Sequence, residues 1–139
     1  MEKLVYKHEK FLASLNALER SIKVFSRTDI DSDVRENLVA SIVKHFEMSY
    51  ESSWKFLKLY LEVRYSEIVD SPKKVFRECF ALGVIDEKTT KELLDISEAR
   101  NATTHDYDEE NAQEICKRIN NYYATFEKLA FLKFHSKLT

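Results

Sequence analysis

The stretch DVRENLVASIVKHFEMSYESSWKFLKLYLEVRY, residues 33–65, decides the fold. Within it Val39, Val43, Phe46, Tyr50, Ser53, Leu57 and Tyr60 recur at alternating steps of four and three. That spacing lays one seam along an α-helix and suits packing against nearly parallel neighbours. Neither glycine nor proline interrupts it. One long helix from near Asp33 to about Tyr65 is therefore expected to be the backbone of the molecule.

Outward from that helix the same period continues. Before it, Ser26 to Asp33 is a polar loop of cap-forming residues. Ahead of the loop, Leu4, Phe11, Leu15, Leu18, Ile22 and Phe25 mark a first helix from about Glu2 to Phe25. After it, Ser71-Pro72 reads as a serine cap with proline at the first helical position. This third helix should run to Leu82 and stop at Gly83, a left-handed C-terminal cap. Asp86 is expected to cap a fourth helix to about Ala102, with Leu93, Leu94, Ile96 and Ala99 inward. Asp108 should cap a fifth from Glu109 to about His135, striped by Ala112, Ile115, Ile119, Tyr122, Tyr123, Phe126, Leu129 and Leu132. The expected class is all-α, a single domain over residues 1–139, arranged as an up-and-down bundle.

Composition agrees. A chain of 139 residues with one Gly and one Pro lacks the turn residues of a multi-strand β fold. A formal net charge of −2 argues against a general DNA-coating protein but leaves room for a small, locally basic RNA site. Cys79 and Cys116 stand alone, without zinc or disulfide spacing, and read as buried or half-buried free thiols. No apolar run approaches membrane-spanning length and MEKLVYKHEK has no signal-peptide apolar region, so a cytoplasmic protein without membrane attachment is expected. A single glycine cannot build a phosphate-cradling loop, so the chain does not look like a nucleotide-binding transferase itself. The residues call for no metal and no cofactor.

The chemistry-bearing segment is Arg100-Asn101-Ala102-Thr103-Thr104-His105-Asp106-Tyr107. A guanidinium offers a fixed fork of donors that matches phosphate, and an imidazole is the side chain best placed to move a proton near neutral pH. Together they are enough to cleave RNA without a metal. Spacing alone equally suits a capped helix end with polar surface residues. On one continuous helix Arg100 and His105 would point about 140° apart, so a shared site requires the fourth helix to end between them. His105 would then stand before the last helix, where the dipole favours a neutral imidazole and welcomes phosphate.

Other residues have plain readings. Arg100 could instead bond the last carbonyls of its helix or pair with Glu98 or Asp95. Asn101 suits a turn-organising role, and Tyr107 could anchor the loop or act as a substrate or modification site. Glu47 and Glu51, four apart, suit a solvated ion-pair face with Lys44 and Lys55, or less simply a magnesium pair. His8, His45 and His135 suit surface or packing roles. Tyr50, Trp54, Tyr60, Tyr122, Tyr123 and Phe126 amount to more aromatic surface than one small bundle easily buries, which suggests an interface between two copies.

The segment resembles the Arg-x4-His-x-Tyr motif of HEPN domains, through Arg100, His105 and Tyr107. More of the chain resembles one branch of them, the nucleotidyltransferase substrate-binding protein family. Its long-helix pattern is met by Phe46-Glu47, Tyr50-Glu51, Trp54-Lys55 and Leu61-Glu62. Ser71-Pro72, Arg77, Gly83-Val84-Ile85-Asp86, Tyr107-Asp108-Glu109 and Ala112-Gln113-Glu114-Ile115 follow in the family's order. The likeness spans about residues 5 to 132, departing at Lys91-Glu92-Leu93-Leu94, where relatives often carry a tryptophan.

The resemblance implies a five-helix bundle, a symmetric homodimer with facing motifs, and a minimal nucleotidyltransferase as partner. It implies two functions. In one, the chain is a ribonuclease toxin using Arg100 and His105, neutralised by a nucleotidyltransferase antitoxin that can adenylylate Tyr107. In the other it presents a substrate to the transferase and cleaves nothing.

Overall fold

In the computed structural model, residues 2–27, 29, 31–102 and 108–132 are described. They form α1 (Glu2–Phe25), α2 (Ser32–Tyr65), α3 (Pro72–Ala81), α4 (Glu87–Asn101) and α5 (Glu109–Ala130). α2 begins one residue earlier than the apolar pattern indicates. Asp31 caps it, its carboxylate accepting from the backbone N–H groups of Asp33 and Val34 at 2.8 and 3.3 Å, so the cap lies in the polar loop where no periodicity marks it.

α1 and α2 form an antiparallel hairpin, with Ser21 beside Ser41 and His45 at one end and Ser14 beside Ser49 and Ser52 further along. α5 packs into its groove. Phe11, Phe46, Phe56 and Phe126 meet there in stacked, tilted and edge-on pairs with centroids 6.2 to 6.5 Å apart. Burial of this cluster is the main driving force of the fold. His8, buried on α1, bonds the Ala130 carbonyl at 2.9 Å. Since a carbonyl only accepts, Nε2 carries the proton there, and His8 satisfies an orphan acceptor at the end of α5.

α3 and α4 lie against the outer side of α2, burying Val75, Phe76, Cys79, Leu93 and Ile96. Leu94 and Ala99 are only partly covered, so the inward face of α4 is narrower than expected. α3 ends at Ala81, and Gly83 takes a φ of +75°. Gly83 N–H bonds Phe80 O at 3.0 Å and Val84 N–H bonds Cys79 O at 2.8 Å, the paired bonds of a Schellman stop. Ser71 occupies the N-cap position but its side chain makes no cap hydrogen bond; with Pro72 next, one backbone donor is already absent and there is less to cap. α5 stops at Ala130; His135 lies outside the described residues.

The aromatic surplus is smaller than its count suggests. Tyr50, Tyr60 and Phe126 are core residues, and Trp54, Tyr122 and Tyr123 are partly covered. Tyr123 donates to Glu19 on α1 at 2.9 Å. The aromatic count therefore gives little support to an interface between copies. Cys79 and Cys116 are both buried free thiols. Among the described residues no helix is long and apolar enough to cross a membrane.

Candidate functional site

The site is built on the seam between α2 and α4. α4 is capped by Asp86, whose carboxylate accepts from the Thr89 N–H at 2.8 Å. Three turns later Ser97 is buried, and the Tyr50 hydroxyl of α2 donates to its Oγ at 2.9 Å. Ser97 in turn donates to the Leu93 carbonyl at 2.9 Å. This closed relay fixes the rotation of α4 against α2. Burial pushes the Tyr50 phenol above its ordinary range, partly offset by the bond to Ser97.

The relay decides where the next turn points. Arg100, three residues beyond Ser97, faces the carboxylates on either side of Tyr50. Its Nη2 lies 3.9 Å from Glu47 Oε2 and its Nε 3.9 Å from Glu51 Oε1. Both contacts are ion pairs beyond hydrogen-bonding distance. The Arg100 side chain is 19 % exposed, those of Glu47 and Glu51 32 % and 39 %. The guanidinium is thus largely desolvated yet reachable, an arrangement in which an arriving anion competes with carboxylates rather than with bulk water. Glu51 is shared further. It accepts from the Trp54 indole N–H at 3.1 Å and lies 3.7 Å from Lys55 Nζ.

Sequence spacing suggests Glu98 or Asp95 as alternatives for Arg100. Instead Glu98 pairs with Lys73 of α3, and Arg100 crosses to α2. The expected ion-pair face of Glu47 and Glu51 exists through Lys55 rather than Lys44, with Arg100 as its unforeseen cation. Which turn of α4 meets which turn of α2 is a tertiary register that periodicity within each helix does not encode.

α4 ends at Asn101, with Ala102 as its cap residue, so the helix does stop between Arg100 and position 105. Asn101 is exposed. His105 and Tyr107 lie outside the described residues. The chain is described again at Asp108, which caps α5 through the N–H groups of Glu110 and Asn111 at 3.0 and 3.3 Å. A groove of about 490 Å³ between α4 and α5, lined by Glu92, Arg118, Tyr122 and Lys128 among others, lies apart from Arg100.

Residues 6–132 match the family model described as nucleotidyltransferase substrate binding protein like. The chain belongs to the nucleotidyltransferase substrate-binding protein family. A Haemophilus influenzae protein named "Probable ribonuclease HepT" is 27 % identical over 118 residues, covering 79 % of this chain and 80 % of that protein. In fold, this family member is similar to a tri-AMPylated HEPN toxin of Shewanella oneidensis in complex with MNT antitoxin, with a TM-score of 0.74 at 16 % identity. That match covers 93 % of this chain and 94 % of the other. A crystallised protein of Thermus thermophilus is likewise similar, with a TM-score of 0.69 and 24 % identity over 84 % of this chain and 94 % of that one. The bundle is therefore HEPN-like, as the resemblance of the motif implied.

Proposed function

We propose that this chain is the HEPN-type subunit of a two-protein minimal nucleotidyltransferase system, acting in the cytoplasm as a metal-independent endoribonuclease that its nucleotidyltransferase partner neutralises. The observation that carries the reading is the placement of Arg100. It is held on the last turn of α4 against Glu47 and Glu51, and the helix ends immediately afterwards, ahead of the segment bearing His105. The relative named as a ribonuclease and the toxin with the same fold support it.

In the reaction the RNA 2′-oxygen attacks the adjacent phosphorus, the bond to the 5′-oxygen breaks, and a 2′,3′-cyclic phosphate and a 5′-hydroxyl remain. His105 takes the 2′-hydroxyl proton or delivers one to the leaving oxygen. Arg100 binds the non-bridging oxygens and stabilises the charge that develops on them. The working unit is a homodimer in which two motifs face each other, so that one imidazole takes a proton and its counterpart gives one. Asn101 orders the turn after α4. Tyr107 is the group the partner modifies: its phenol oxygen attacks the α-phosphorus of ATP, AMP is transferred, and pyrophosphate leaves.

Expression of the chain alone and then with its partner tests the reading. Growth arrest with RNA cleavage, abolished by His105→Ala and relieved by the partner, is the expected result. A harmless wild-type chain that leaves RNA intact would overturn it and leave the family's substrate-binding description as the function.

A further inference from the structure

Two faces that look ordinary in sequence meet along the α1–α2 hairpin. Lys3, Lys7 and Lys10 stand on successive turns of α1, and Lys55 and Lys58 stand on α2 beside them. Between the helices runs a groove of about 540 Å³, lined also by Tyr6 and Trp54. A smaller hollow of about 150 Å³ shares Lys7 and Lys55 with it and reaches Glu51. Glu51 is the carboxylate that Arg100 faces, so the groove leads up to the candidate site.

Its chemistry is unlike that of the whole chain. The formal net charge is −2, yet among the described residues lining these two hollows five lysines stand with two carboxylates, Glu51 and Glu62, and Arg100 also offsets Glu51. Tyr6 is 54 % exposed, with Lys10 Nζ 5.2 Å from its ring centroid. Trp54 is partly covered, with its indole N–H turned to Glu51. Ammonium groups along a groove with aromatic faces among them are the combination that holds a single strand: cations neutralise successive phosphates and π-faces take the bases. A protein surface would need its own row of carboxylates to match five lysines, whereas a single strand supplies a phosphate at every nucleotide with a base beside it.

We propose that this groove binds a single-stranded RNA along its phosphodiester backbone, with bases stacking on Tyr6 and Trp54, and delivers the strand to Arg100. That the strand is RNA rests on the ribonuclease reading; that it is a polyanion with exposed bases does not. The probe is therefore a 2′-O-methyl oligoribonucleotide, which lacks the attacking hydroxyl and reports binding whether or not the protein cleaves. Trp54 is the chain's single tryptophan, so its emission reads the groove directly.

Titration of the full chain should quench Trp54, and the Kd should rise at least about tenfold in the double variant Lys7→Glu/Lys58→Glu. The log–log salt dependence of that variant should be shallower by about 1.4, the loss of two phosphate contacts on a single strand. Lys3→Glu with Lys10→Glu should weaken binding from the α1 side alone, with helicity by circular dichroism unchanged. Unaltered emission together with wild-type affinity in both double variants would overturn the proposal. So would a result in which the variants leave the oligonucleotide bound but lose the nucleotidyltransferase or the second copy of the chain, because the groove would then belong to a protein interface. If unmodified RNA is never cleaved but the oligonucleotide binds as described, the ribonuclease reading fails and the groove stands.

Discussion

Two joints hold α4 against α2, one turn apart, and they are built differently. At Tyr50 and Ser97 the joint is neutral, buried and closed, with a hydrogen bond of 2.9 Å passed on to Leu93. At Glu47, Glu51 and Arg100 it is charged, partly exposed and held by ion pairs of 3.9 Å. A joint that only needs to assemble is served by the first kind, since a satisfied buried hydrogen bond specifies one register. The second kind keeps a desolvated guanidinium within reach of an anion, at little gain in stability. The neutral joint aims α4, and the charged one is what it aims.

Substitution should separate the two. The largest effect is expected for Arg100→Ala: RNA cleavage should fall by about 100-fold or more, with a stability change under about 1 kcal/mol because both ion pairs are long, at 3.9 Å, and the two carboxylates keep access to water. Equal cleavage by the variant, with a large loss of stability, would make Arg100 merely structural. Ser97→Ala should do the opposite. It leaves the Tyr50 hydroxyl without its acceptor and should cost about 1–3 kcal/mol in urea unfolding, while cleavage assayed well below the melting temperature falls far less than in Arg100→Ala, through the loosened aim of α4 alone.

A smaller effect should follow from Glu47→Gln with Glu51→Gln. If the carboxylates orient the guanidinium, cleavage should drop on the order of tenfold, less than in Arg100→Ala. A rise would mean they only compete with phosphate. The last effect is confined to alkaline pH. Burial raises Cys79 from an ordinary 9.0 to about 12, and it raises Tyr50 from 10.0. The unfolded thiol and phenol ionise first, so their contribution is fully present below about pH 9 and is lost as pH rises toward 12. Denaturant midpoints should be flat below about pH 9 and fall above it, and Cys79→Ala should reduce that slope. Any decline caused by Tyr50 should persist in the Cys79 variant.

The neutral joint was half legible in the sequence: Tyr50 sits in the α2 seam, whose period marks it as buried. Ser97 carried no such mark, because a serine next to Ile96 looks like an exposed position until α4 is seen packed against α2. Helix ends were legible where an Asp cap or the single glycine signalled them, as at Asp86, Asp108 and Gly83. The start of α2 was not, since Asp31 and Asp33 are chemically equivalent caps within one polar loop. α2 stops at Ser66 with a φ of +55°, a left-handed conformation that no glycine announces. The charged joint and the lysine groove were hidden for one shared reason. Each depends on residues from different helices brought side by side, and each contributing face alone reads as a solvated surface.

The most direct test of the ribonuclease reading is RNA cleavage by the purified chain in EDTA, with the new ends mapped. We expect wild-type protein to leave 2′,3′-cyclic phosphates and 5′-hydroxyls in the chelator, and Arg100→Ala and His105→Ala to leave the RNA intact. Intact RNA with wild-type protein, or cleavage that survives both substitutions, would contradict the assignment of this site.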